Sequence, residues 1–174
     1  MQMVTISSPV TLNTRRLILR LFISDDRETL FSITQEPGIL QYFPTRTAWS
    51  MEKTERYLAH QLDHWAKFGY GHWAVTLADS GQLMGWCGLE FLPDTNETEV
   101  GYLLSGKFWG RGYATEAACE TVLFGINRIG LEEIIGLTDP HNIASQRVLE
   151  KSGLKFTRRQ VYFGMEMFRF STKV

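Results

Sequence analysis

Cysteine is scarce in these 174 residues: Cys87 and Cys119 stand apart, with no CxxC and no pairing pattern. That speaks against a disulfide scaffold and a structural zinc site, and for a reduced, cytoplasmic protein. No run of about 18 apolar residues occurs, so no membrane-spanning helix is expected. Surplus charge is missing too; the formal net charge is −1, which argues against general nucleic-acid binding. The opening MQMVTISSPV has neither a basic n-region nor an apolar core, so no signal peptide is expected. Repeats and low-complexity linkers are absent. What remains is 44% hydrophobic and 21% charged, a globular composition. The length suits one domain, residues 1–174, able to bury a sizeable core.

Hydrophobic periodicity and turn residues divide the chain into alternating elements. RRLILRLF reads as a strand, and SDDRETLFSITQE as a helix with Ser24 as N-cap. PGILQYFPTRTAW is a punctuated loop. SMEKTERYLAHQLDHWAKFG is a second helix, capped by Ser50, with Lys53 where a glutamate would complete a capping box. HWAVTLA and QLMGWCGLEFL form a hairpin about DSG, and ETEVGYLL is the next strand. A helix over YATEAACETVLFGINRIG, a strand EEIIGLTD and a helix NIASQRVLEKSG closed by Gly153 follow. LKFTRR and VYFGMEMFRF finish as strands. The order β-α-α-β-β-β-α-β-α-β-β mixes antiparallel neighbours with a βαβ crossover, so an α/β (α+β) fold with a mixed, helix-covered sheet is expected.

The stretch FWGRGYATEA raises the functional question. Gly110 and Gly112 flank Arg111 where a strand has ended and a helix is about to begin. A simple turn would explain them. So would an anion site, since the amides from Arg111 to Thr115 are the free first-turn donors of a helix. A Walker A loop requires Lys-Ser or Lys-Thr after the second glycine, and none is present. A Rossmann fingerprint requires a third glycine where Thr115 stands, directly after a strand, yet Lys107, Phe108 and Trp109 intervene.

A third pattern fits. KFWGRGYATEA resembles the acyl-coenzyme A loop of the GNAT N-acetyltransferase superfamily, Gln/Arg-x-x-Gly-x-Gly/Ala. DPHNIASQRVLEKSGLKF resembles that superfamily's second motif, and TRRLILRLFISDDRETLFSI its usual first strand and helix. The resemblance spans nearly the whole chain and is nearest to the branch of ribosomal-protein alanine (RimJ/RimL-like) and spermidine acetyltransferases. It implies a largely antiparallel central sheet with one βαβ crossover at the cofactor loop. It also implies an acetyl-CoA-dependent N-acetyltransferase acting by direct transfer to a primary amine, a protein N-terminus being favoured over a polyamine or small amine. Lys107 departs from the usual Gln or Arg, and lysine offers a point charge in place of a fork.

The resemblance assigns cofactor contacts to the strand end Leu103 and Leu104, and to Lys107, Gly110, Arg111, Gly112, Tyr113, Ala114 and Thr115. Asn142 joins them, although an N-cap role also accounts for it. Ser145, one turn on, is implied to stand near the cofactor sulfur and to assist the departing thiolate. Direct transfer needs a base for the amine proton, because a free amine is mostly charged at neutral pH. Glu99, on the strand leading to the loop, matches the family's acidic position. Glu90 and Glu97, the latter placed in a turn, are rivals. Acceptor contacts are expected from Pro37–Ser50, the turn around Asp94, and Gln160–Gly164. His60 and His64, at i and i+4, read as an amphipathic face and not as metal ligands; no metal is expected. The tryptophans read as core or rim packing, with Trp109 anchoring the loop. No nucleic-acid or membrane partner is expected, and the protein is a monomer or homodimer. Two other classes stay open: a non-catalytic CoA-binding sensor and a dinucleotide-binding oxidoreductase.

Overall fold

The computed structural model describes residues 10–173; the segment 1–9, where no signal peptide is expected, lies outside them. The elements are β1 (Leu12–Asn13), β2 (Leu17–Arg20), α1 (Asp26–Thr34), α2 (Met51–Phe68), β3 (His72–Leu77), β4 (Leu83–Leu92), β5 (Glu97–Leu104), α3 (Tyr113–Phe124), β6 (Ile135–Thr138), α4 (Ile143–Lys151), β7 (Lys155–Tyr162) and β8 (Met165–Ser171). A 3-10 turn, Gly106–Phe108, precedes α3, and a π-helical turn, Gly125–Ile129, follows it. One eight-stranded sheet runs in the order β1-β2-β3-β4-β5-β6-β8-β7. All neighbours are antiparallel except β5 and β6, the two strands that flank α3. This is the expected mixed sheet with its single βαβ crossover.

Alternation along the central strands sends side chains to opposite faces. Trp73, Val75, Cys87, Leu89, Val100 and Leu104 pack with Ala117, Ala118 and Val122 of α3 and Leu149 of α4. Ala74, Trp86 and Leu103 pack on the other face with Leu30 and Ile33 of α1 and with Tyr57 and Leu58 of α2. Each fully buried large side chain contributes about 1.5–3 kcal/mol of transfer free energy, so this double core holds β5 firmly on both sides.

The parallel pair matters most. β5 and β6 meet at a single register position, Glu99 opposite Ile135. Beyond it β5 runs to Leu104 with β4 as its partner, and β6 pairs with β8. The sheet is therefore split between the C-terminal ends of β5 and β6.

Several local expectations are corrected. The first strand is shorter than RRLILRLF and is preceded by the short β1. Ser24 does not cap α1. Asp25 stands at the N-cap without a side-chain hydrogen bond, and the carboxylate of Asp26, in the first turn, accepts from the Ile23 amide (2.9 Å) and pairs with Nη1 and Nη2 of Arg20 (2.7 and 2.8 Å). A buried charge of this kind is held only where it is paired. The final stretch is not one strand from Val161. Phe163 and Gly164 both have positive φ, 52° and 74°, so the chain reverses there and β7 extends to Tyr162. Glu97 opens β5 and does not lie in a turn. The Ser50 cap of α2 is present, its hydroxyl accepting from the Lys53 amide at 3.1 Å.

Candidate active site

The glycine loop has the geometry of an anion cradle. Gly110 and Gly112 both adopt left-handed backbone, φ 71° and 79°. That conformation turns the chain sharply into α3 and costs a side-chain-bearing residue about 1–2 kcal/mol. Gly112 caps α3 without any side-chain hydrogen bond. Among the described residues, no protein group accepts from the amides of Arg111 to Thr115. Consecutive free amides at a helix start favour a negatively charged oxygen ligand.

A brace that sequence reading missed holds this loop. Glu116, in the first turn of α3, accepts from the Thr14 hydroxyl (2.6 Å), the Arg16 amide (2.8 Å) and Arg16 Nε (2.7 Å). These bonds hold its carboxyl below the usual range even though burial works the other way. Arg16 Nη1 then donates to the Arg111 carbonyl at 3.0 Å, and its guanidinium lies 4.2 Å from the centre of the Tyr113 ring. Tyr113 is thus buried as packing between Arg16 and Phe108. Arg111 and Lys107 are exposed beside it, while Ala114 and Thr115 are half-buried. Upstream, Glu36 accepts from the Ser105 hydroxyl (2.6 Å) and the Gly106 amide (2.7 Å). Trp109 anchors the loop as expected, donating from Nε1 to the Leu104 carbonyl at 2.8 Å. Leu103 and Leu104 bury their side chains in opposite cores, which leaves their backbone as the part able to meet a ligand.

Across the split in the sheet stands α4. Asn142 is its N-cap, with Oδ1 accepting from the Ser145 amide at 3.1 Å. The Ser145 hydroxyl lies 2.8 Å from the hydroxyl of Tyr102 on β5. Tyr102 stays a neutral phenol, because burial raises its pKa well beyond the usual value.

The opposite face of β5 carries the carboxylates. Glu99 and Glu90 are directly paired in the β4–β5 register and so share one face. Their environments push them apart. Burial, with the charge of Glu90, raises Glu99 to about 8; the Leu137 amide offsets part of this. Burial also opposes ionisation of Glu90, but His72 beside it and hydrogen bonds from Gln61 and His60 prevail and hold it low. Divergent paired groups of this kind supply an acid and a base. Glu97 is committed elsewhere, pairing with Arg169 (2.8 Å) and accepting from Tyr162 (2.9 Å).

Helix α2 builds the rest of this wall. Tyr57, His60, Gln61 and His64 recur at i, i+3, i+4 and i+7 and face the sheet, Gln61 and His64 buried, Tyr57 half-buried and His60 at the exposed rim. His60 and His64 fall on an amphipathic helix, His60 exposed and His64 buried. His64 is buried and fixed as the Nδ1–H tautomer, donating to the Tyr70 carbonyl (2.7 Å) and accepting from the Phe91 amide (3.0 Å). Among the described residues, no group of three or more His, Cys, Asp or Glu is placed to hold a metal. The loop from Pro37 to Ser50 brings Phe43 against Trp86, and Trp49 against Tyr57. No helix among the described residues is long and apolar enough to cross a membrane.

Residues 16–155 match the family model described as an acetyltransferase (GNAT) domain. The chain is 33% identical over 164 residues to the FsC-acetyl coenzyme A-N(2)-transacetylase of Aspergillus fumigatus, covering 86% of this chain and 67% of that protein. It is 29% identical to the uncharacterized protein YkkB of Bacillus subtilis, over 83% of this chain and 85% of the relative. An acetyltransferase from Agrobacterium tumefaciens superposes with a TM-score of 0.84 at 26% identity, covering 94% of each chain. RimL, the ribosomal L7/L12 α-N-protein acetyltransferase solved with coenzyme A, shares the fold with a TM-score of 0.79 at 14% identity, over 93% of this chain and 97% of its own. The chain belongs to the GNAT acetyltransferase family and is an N-acetyltransferase whose acyl donor is acetyl-CoA.

Proposed function

We propose that residues 1–174 form a single GNAT domain that transfers acetyl to a primary amine by direct attack, a protein N-terminus being the favoured acceptor, in a cytoplasmic setting consistent with two unpaired cysteines. The observation that carries this reading is the arrangement about β5. Glu99 lies on one face and the Tyr102–Ser145 pair on the other, beside the split where β5 and β6 part.

In this reading the free amides of Arg111 to Thr115 bind the pyrophosphate of acetyl-CoA, with Arg111, Lys107 and the braced Arg16 adding positive charge. Backbone groups of Leu103 and Leu104, and Asn142, line the arm. The thioester supplies the activated acetyl group. Amides of β5 steady the oxygen that gains charge. Glu99 accepts the amine proton, and a pKa near 8 suits that task at cellular pH. Ser145, held by Tyr102, stands ready to hydrogen-bond the departing sulfur. The RimJ/RimL branch is supported by the motifs and by the shared fold, and the N(2)-transacetylase relative supports nitrogen as the acceptor atom.

The test is a thermal-shift screen followed by thiol release. A ligand at a hundred times its Kd stabilises by about 2.7 kcal/mol. At this size that raises Tm by roughly 5–10 °C. Acetyl-CoA should produce this shift, ATP and NADH little. CoA should then be released with at least one amine from a panel of peptides, amino-acid amides and polyamines. Binding without release from any amine would point to a sensor module.

A further inference from the structure

We infer that His72 is a specificity-determining residue, whose Nε2–H donates to a lone-pair atom, such as a carbonyl oxygen, placed beside the amine of the acceptor. The inference rests on the proposed amine transfer and names the chemistry that the acceptor must carry.

His72 is more than nine-tenths buried and tightly held. Its main-chain amide donates to Gln61 Oε1 (2.7 Å) and its carbonyl accepts from Trp65 Nε1 (3.0 Å). Its ring stacks on Trp86, centroids 4.3 Å apart and planes 11° from parallel. Nδ1 lies 2.8 Å from the Tyr57 hydroxyl. That hydroxyl has no other partner among the described residues, and burial keeps the phenol protonated. The arrangement that satisfies both groups has Tyr57 donating to Nδ1, which leaves the proton of the neutral imidazole on Nε2.

Among the described residues that Nε2–H has no hydrogen-bond partner. The nearest charged oxygen, Glu90 Oε2, is 3.8 Å away, beyond hydrogen-bond range. Buried donors are nearly always satisfied, so an orphan on a rigid ring indicates a group still to arrive. Gly101 leaves the wall beside it without a side chain. A Cβ there would lie 3.8 Å from His72 Nε2 and 3.4 Å from the Trp86 ring. Gly101 shares its face of β5 with Glu99, two residues away. The indole N–H of Trp86, the ring stacked on His72, is a second buried donor without a partner among the described residues. The orphan donor beside Gly101 asks for a lone pair. A polyamine in its charged form is all donors and cannot supply it. An amine followed by a carbonyl can.

The experiment compares two acceptors with the same heavy-atom skeleton, glycinamide and isobutylamine, on the parent and on two variants. His72→Asn keeps a partner for Tyr57 near the Nδ1 position but loses the distal donor. His72→Gln places an amide N–H near the Nε2 position. The difference in amine basicity cancels, because each ratio compares one amine on two proteins. His72→Asn should lower kcat/KM for glycinamide about 5- to 100-fold, the effect of an unmade bond to a buried donor. Isobutylamine should change less than about threefold, and His72→Gln should restore most of the glycinamide rate. Equal losses for both amines would make His72 merely structural and overturn the inference. So would an unchanged glycinamide rate in a folded His72→Asn. Should the parent acetylate no amine at all, the proposed function itself would fall first, and the parent's thiol-release trace separates that case.

Discussion

The Tyr102 hydroxyl lies 2.8 Å from the Ser145 hydroxyl and 3.2 Å from the Ser145 carbonyl, joining β5 to α4 where the sheet has parted. On the proposed assignment the two side chains work as a unit. Ser145→Ala should lower kcat more than it weakens acetyl-CoA binding. Tyr102→Phe should reproduce part of that loss, and the double variant should be little worse than Ser145→Ala alone, as coupled neighbours are not additive. Steady-state kinetics with parallel CoA titrations measure both. Additive losses would separate the roles.

The two loop glycines can be told apart by what surrounds them. Gly110→Ala and Gly112→Ala carry the same left-handed penalty of about 1–2 kcal/mol. That corresponds to a Tm decrease of roughly 2–8 °C for a protein of this size. A Cβ at Gly110 meets nothing within 4 Å, whereas one at Gly112 meets Arg16 Nη2 at 3.5 Å and projects at the start of α3. Acetyl-CoA affinity should therefore fall further for Gly112→Ala. Isothermal titration on both folded variants reads the difference.

Glu116→Ala removes the shared acceptor of Thr14 and Arg16. Leaving those donors unsatisfied should cost about 1–3 kcal/mol, visible as a lower urea midpoint. The loop loses its brace at Arg111 in the same step, so acetyl-CoA affinity should drop together with stability. Unchanged affinity would show that the loop holds its shape without Arg16.

Glu99 connects pH to both rate and stability. Its pKa in the folded protein is near 8, above the ordinary value of 4.5. The folded state therefore binds the proton more tightly than the unfolded chain. Its contribution is fully present below about pH 4.5 and is lost as pH rises through about 8. Glu99→Gln should remove that trend, so its Tm should gain on the parent between pH 5 and 8. Turnover should fall by about 10²–10⁴-fold at neutral pH, with the deficit shrinking as pH approaches the pKa of the amine itself. Matching pH–rate profiles would move attention to Glu90.

His72 carries the opposite sign. Burial lowers its pKa to about 4, so the fold favours the neutral ring. Stability tied to it is present above about pH 6.5 and lost as pH falls through about 4. His72→Gln should flatten the Tm decline between pH 6.5 and 4, measured by differential scanning fluorimetry.

What the sequence determined by itself was local. Alternation in ETEVGYLL and HWAVTLA, the Ser50 cap, the glycines at 110, 112 and 153 and the Asn142 cap follow from propensity, periodicity and turn chemistry. These act over a few residues and are readable without a partner. Ser24 failed as a cap because the helix begins one residue later than it would require, with Asp25 at the N-cap, and VYFGMEMFRF hid a turn because Phe163 is not a residue that advertises positive φ. The site was decided by tertiary contact. Arg16 meets Glu116 across 100 positions of chain, and Tyr102 meets Ser145 across 43. Glu90 comes to face Glu99 through strand register, and His72 becomes an orphan donor only because α2 and β4 enclose its ring. Such pairings arise where burial makes an unmatched polar group costly, and no short window of sequence contains both partners.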